Sequence, residues 1–183
     1  MREKVVLVIF IVFIAITVII IFESYYDISR TYTINQNESG YEVVIRKYNG
    51  KIIIDEEIEV EPVIKVVGKN TLTLALRAGN YSERKFINVK DGRMSDYFGD
   101  VVAYSSDKVV YPTFDQGTMK IIVQDIYNRN NYYLEIIRDY ITAATGREII
   151  SDVYFLDDET LYLTYFSGEN YDEITEIIDL SNP

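Results

Sequence analysis

Histidine and cysteine are both absent from the 183 residues. Their absence removes the imidazole base, the thiol nucleophile, disulfides and the usual zinc ligands, so proton transfer would fall to carboxylates, lysines or tyrosines. Ser105 and Lys108 stand three apart, a spacing at which a lysine amine can take the proton from a serine nucleophile. The S-D-N and K-T-G elements that accompany such a pair in acyl-transfer sites do not occur, so the stretch reads as a polar hairpin turn. Asp157, Asp158 and Glu159 place three carboxylates in one turn, and Glu169, Asp172 and Glu173 follow in the next loop. Hard oxygens suit calcium, which takes roughly six to eight of them at about 2.3–2.6 Å. Asp157, Asp158 and Glu159 are therefore candidate calcium ligands, although no EF-hand spacing accompanies them and charged hairpin tips are the competing reading.

A glycosidase needs two carboxylates about 5–9.5 Å apart. With 29 acidic residues, composition selects no pair, and no catalytic residue or cofactor is assigned. The 17 tyrosines offer flat apolar faces with polar tips suited to sugars or peptides. Tyrosine is also favoured in strands for packing alone, and that accounts for most of them. The net charge of −11 repels nucleic acid and anionic headgroups, which require clustered Lys and Arg. No nucleic-acid partner is expected. Asn37-Glu38-Ser39 and Asn80-Tyr81-Ser82 match the N-glycosylation pattern, with consequences only in a eukaryotic secretory pathway.

The elements that would hold these side chains follow from an internal repeat. Shifting residues 64–89 by 37 positions sets Leu72 on Val109, Leu74 on Tyr111 and Phe86 on Val123. A shift of 89 sets Leu72 on Leu161, Leu74 on Leu163 and Gly79 on Gly168. Self-similarity at such periods marks stacked supersecondary units, each too small to bury its own apolar face. Leu72, Leu74 and Leu76 alternate with Thr71, Thr73 and Ala75, the period of two of a β-strand. Asn49-Gly50 and Asp91-Gly92, between β-branched runs, predict hairpins with type I′ turns. Aligning these turns sets Val44 on Phe86 and Ile45 on Ile87.

The expected strands are 41–48 and 51–58, then 63–67, 71–76, 84–89 and 93–98, then 101–104, 108–114, 119–127 and 132–138, and finally 149–156, 160–166 and 173–180. Residues 132–144 also carry a near-helical spacing at Tyr133, Ile136, Ile137, Tyr140 and Ile141. Pro112 inside an interior strand requires a bulge or a sheet edge.

Residues 5–22 are apolar apart from Thr17, and at about 1.5 Å per residue a helix of that length approaches the hydrocarbon thickness of a bilayer. The exit TVIIIFESYY lacks the small residues of a cleavage site, so an uncleaved transmembrane anchor is preferred to a signal peptide. Arg2 and Lys4 precede the span while Glu23 and Asp27 follow it, which keeps the N-terminus cytoplasmic. The expected organisation is a cytoplasmic stub (1–4), a transmembrane helix (5–22), a polar tether (23–40) and an extracytoplasmic all-β repeat domain (41–183).

Small antiparallel sheets at this period resemble β-propeller blades of the TolB or WD kind, without their tryptophans. This implies an all-β fold of tandem antiparallel sheets forming a partial or small propeller, with a β-sandwich as the alternative. The segments KYNGKI, VKDGRMSDYF, IIVQDIY and FLDDETLYLTYFSGENYDE behind an apolar anchor resemble membrane-anchored extracytoplasmic β-rich proteins of low-GC Gram-positive bacteria. That resemblance implies a location at the cell membrane and carries over no site residue. The expected function is non-catalytic binding of a protein or glycan outside the cell. A carboxylate-dependent hydrolase of cell-wall glycans and a subunit of an envelope complex are the alternatives.

Overall fold

The computed structural model describes residues 27–79, 81–115, 118–139, 149–168 and 170–181. The expected membrane anchor at 5–22 lies outside them. Among the described residues no helix is long and apolar enough to cross a membrane.

A short 3-10 turn (Ile28–Thr31) opens the described chain, and fourteen strands follow it. The first sheet holds β1 (Tyr32–Gln36), β2 (Tyr41–Arg46) and β3 (Ile52–Ile58). The second holds β4 (Pro62–Val66), β5 (Thr71–Ala78), β6 (Tyr81–Asn88) and β7 (Phe98–Gly99). The third holds β8 (Ala103–Tyr104), β9 (Lys108–Asp115), β10 (Thr118–Asp125) and β11 (Tyr133–Asp139). The fourth holds β12 (Ile150–Asp157), β13 (Thr160–Ser167) and β14 (Asp172–Asp179). Every pairing is antiparallel and every sheet is a meander in chain order. The all-β expectation of tandem sheets holds.

The repeat is structural. β5 maps onto β9 at the 37-residue shift and onto β13 at the 89-residue shift, end to end, and β6 maps onto β10. Leu72, Val109 and Leu161 are fully buried at equivalent places, as are Leu74 and Leu163. Burying one leucine is worth about 1.5–3 kcal/mol, which identifies these strands as the anchors of their sheets. Val43, Ile45, Leu72, Leu74 and Ile87 join the first sheet to the second. Phe86, Phe98, Val109 and Ile126 join the second to the third. Val110, Ile121, Val123, Leu161 and Leu163 join the third to the fourth. The two middle sheets are thus packed on both faces, which departs from a two-layer sandwich. Among the described residues no apolar cluster joins the first sheet to the last, so no closed ring is seen.

Three local expectations are corrected. Residues 28–36, expected within a tether, form the 3-10 turn and the edge strand β1, which pairs with β2 along its whole length. Most of β1 faces solvent, so it shows no apolar period although its backbone is fully laddered. The Asn49-Gly50 hairpin is not type I′. Only Gly50 takes positive φ, at 84°, and bonds of Gly50 N to Lys47 O (2.9 Å) and Lys47 N to Lys51 O (2.8 Å) make a longer loop closed by a left-handed glycine. A full fourth strand over 93–98 is replaced by a bridge at Met94 and the two residues of β7. The strand expected over 132–138, preferred to a helix, holds as β11, which pairs residue by residue with β10 up to Asp139.

Pro112 pairs with Ile121 without a bulge, while β8 reaches only Val109 and Val110 on the other side. It stands where β9 is locally an edge, so its missing N–H costs no ladder bond.

Candidate binding cleft

A cleft of about 330 Å³ opens between the second and third sheets, lined on one side by Asp96, Tyr97, Phe98 and Gly99 and on the other by Tyr111, Gln124 and residues 126–129. The first wall is fixed by Ser95, a buried residue. Its hydroxyl accepts the Phe86 N–H at 2.9 Å and donates to the Asp96 carbonyl at 2.6 Å. Phe98 then packs edge-on to Phe86 (6.1 Å between centroids) and tilted against Tyr111 (5.5 Å). This aromatic contact holds the two walls at a set separation. Tyr97 is half-buried, with the Lys85 ammonium 4.5 Å from its ring centre.

The opposite wall ends in a loop organised by Asp125. One carboxylate oxygen accepts the N–H groups of Tyr127 (2.7 Å) and Asn128 (2.8 Å). Asn128 in turn accepts the N–H of Asn130 on its side-chain oxygen (3.1 Å) and that of Asn131 on its carbonyl (2.9 Å). The Ile126 N–H donates to the Asp107 carbonyl at 2.8 Å. An Asp accepting the N–H two residues on is a self-contained turn, so this wall is formed before any ligand arrives.

Three tyrosines face this region with raised pKa values, each chiefly through burial. At Tyr97 the negative charges of Glu56 and Glu83 add to the effect. At Tyr111 the positive charge of Arg129 opposes it. Tyr127, under the Arg93 guanidinium at 4.8 Å, shares a 3.4 Å hydrogen bond with Thr71. All three stay neutral near pH 7 and present hydroxyls as donors and acceptors. The Tyr111 hydroxyl donates to Gln124 Oε1 at 3.0 Å. Arg129 lies with its guanidinium carbon 3.6 Å from the Tyr133 ring centre.

The residues singled out by type and spacing lie elsewhere. Asp157, Asp158 and Glu159 sit at the β12–β13 hairpin tip, where the Asp157 carboxylate accepts the Glu159 N–H at 2.9 Å. Among the described residues no three carboxylates converge as a metal site. Glu173 accepts the Ser151 hydroxyl at 3.3 Å, and Glu169 lies outside the described residues. Ser105 is bonded to Asp107 and to the Lys108 N–H. The Lys108 amine is held by the Asp107 carboxylate (3.3 Å) and the Asp158 carbonyl (3.0 Å), not by Ser105. Asp96 is the one carboxylate among the cleft-lining residues, so the two-acid arrangement of a glycosidase is not assembled there.

Asp96, Tyr97, Gln124 and Arg129 carried no motif. The signal that could have found them is the pairing of loops at equivalent ends of neighbouring repeats, which a linear reading does not bring together. No protein-family model, no curated protein and no solved structure matches the chain.

Proposed function

We propose that this protein binds a glycan without chemistry of its own, anchored in the cell membrane by its N-terminal apolar segment with the β-sheet body outside. In this reading the four sheets are blades of a partial, propeller-like array, and the glycan lies across the edge between the second and third. The observation that carries it is the make-up of the cleft. Its polar surface comes from tyrosine hydroxyls, carboxylate and guanidinium, while the N–H groups of Ile126, Tyr127, Asn128, Asn130 and Asn131 are already bonded within the protein. Sugars are bound by flat aromatic faces and side-chain hydrogen bonds. An extended peptide would instead look for unpaired backbone groups. The acidic charge of −11 supports a partner other than nucleic acid.

Two measurements test this reading. Protease added to intact cells is expected to remove a C-terminal tag; a protected tag overturns the topology. The full chain in mild detergent is expected to sediment with insoluble cell-wall glycan, and Tyr97→Ala to lose most of that retention. Equal retention of the two proteins overturns the cleft as the binding surface.

One observation favours a second reading, as a subunit of an envelope assembly. The third strands of the middle sheets, β6 and β10, are each followed by a paired fourth strand, whereas β14 is the edge of its sheet. A partner strand added along it would complete the module. Light scattering on the eluted full chain distinguishes the readings, since a monodisperse monomer counts against strand donation.

A further inference from the structure

We infer that the sugar taken by the cleft carries a carboxylate, and that Arg129 pairs with it while Asp96 holds the ligand's hydroxyls. This rests on the cleft reading above and goes beyond it to the ligand's charge. In a chain with 18 basic against 29 acidic residues, a cation lining a cleft is normally consumed by a neighbouring acid. Arg129 is not: no ion pair among the described residues involves it. The nearest acids in sequence are engaged elsewhere: the Asp125 carboxylate accepts the N–H groups of Tyr127 and Asn128, and Glu135 accepts the Tyr133 hydroxyl. The guanidinium lies over the Tyr133 ring, a contact that fixes its plane and leaves its edge donors available. A planar fork with a free edge matches a carboxylate in two parallel hydrogen bonds, which a neutral sugar cannot offer.

The opposite wall has the complementary chemistry. Asp96 is exposed and lines the same cleft, and its carboxylate is an acceptor only. It repels an anionic group and suits hydroxyl donors. The two walls therefore orient the ligand, with its carboxylate toward the third sheet and its hydroxyls toward the second. The protein's overall negative charge acts against densely charged polymers, whose charges add at range, and little against a single carboxylate within a screening length of about 8 Å. A mostly neutral oligosaccharide bearing an isolated acid is the class that fits.

The experiment is calorimetric titration of the full chain in detergent with two probes. One is a tetrasaccharide with one glucuronate on three xylose units; the other is neutral xylotetraose. The acidic probe is expected to bind at least about tenfold more tightly. Arg129→Gln, an exposed loop change, is expected to erase that difference, so that the acidic and neutral probes bind the variant equally. Arg129→Lys keeps the charge without the fork and falls between. Equal affinity for the two probes, with both weakened by Tyr97→Ala, overturns the carboxylate assignment while the cleft reading stands. Binding of neither probe overturns both.

Discussion

Arg138 in β11 donates from Nε to Glu176 Oε1 in β14 at 2.7 Å, and a terminal nitrogen donates to the second carboxylate oxygen. The Tyr165 hydroxyl reaches the same Oε1 at 2.8 Å. This fork ties the third sheet to the fourth beside their shared apolar cluster. Hydrogen bonds from Arg138 hold the Glu176 pKa below its ordinary 4.5, with burial opposing and Tyr165 assisting. A carboxylate whose pKa falls on folding stabilises fully above its unfolded value and loses that contribution as pH falls through the lowered one. Glu176→Gln is therefore expected to cost about 1–3 kcal/mol at pH 7. The deficit should shrink as pH drops below 4.5, and a deficit that stays constant in acid denaturant melts would refute the coupling.

The repeat makes a quantitative prediction about additivity. Leu74 and Leu163 occupy equivalent positions, both fully buried, in separate clusters. Each leucine-to-alanine change should cost about 2–5 kcal/mol, and the double variant should lose the sum to within about 0.5 kcal/mol if it unfolds in one step. Strong coupling in urea unfolding would mean that the two sites share surroundings.

Thr73 is fully buried in β5, and its hydroxyl has no hydrogen-bond partner among the described residues. An unpaired buried hydroxyl costs about 1–3 kcal/mol, while an isosteric methyl costs nothing comparable. Thr73→Val should raise stability by about 1 kcal/mol, seen as a higher denaturant midpoint at unchanged slope. A lower midpoint would show that the hydroxyl has an unseen partner.

Alternation at Leu72, Leu74 and Leu76 and its recurrence at Leu161 and Leu163 are enough to place the central strands, because leucines fill one face while the smaller Thr71 and Thr73, also buried, fill the other, so side-chain size writes the period of two into the chain. β1 was not legible, since the Thr33, Asn35 and Gln36 side chains face solvent and its stability lies in backbone bonds to β2. The turn at Gly50 was recognised by composition but mistyped. Tyr48 is held there by its N–H to the Val89 carbonyl and its hydroxyl to the Lys69 carbonyl, contacts set by a distant hairpin. The cleft is hidden for the same reason: Tyr97 and Arg129 line one cleft only because two repeats stack.

The most direct test of glycan capture between the second and third sheets is photo-crosslinking in intact cells from a benzophenone placed at position 99, where Gly99 lines the cleft and a side chain meets open space. A matched protein carrying the same group at Ile177, which is 70% exposed on the fourth sheet, is the comparison. Capture of saccharide from position 99, weakened on adding Arg129→Gln, and none from position 177 is the predicted result. Saccharide capture from 177 alone, or equally from both positions, would contradict it.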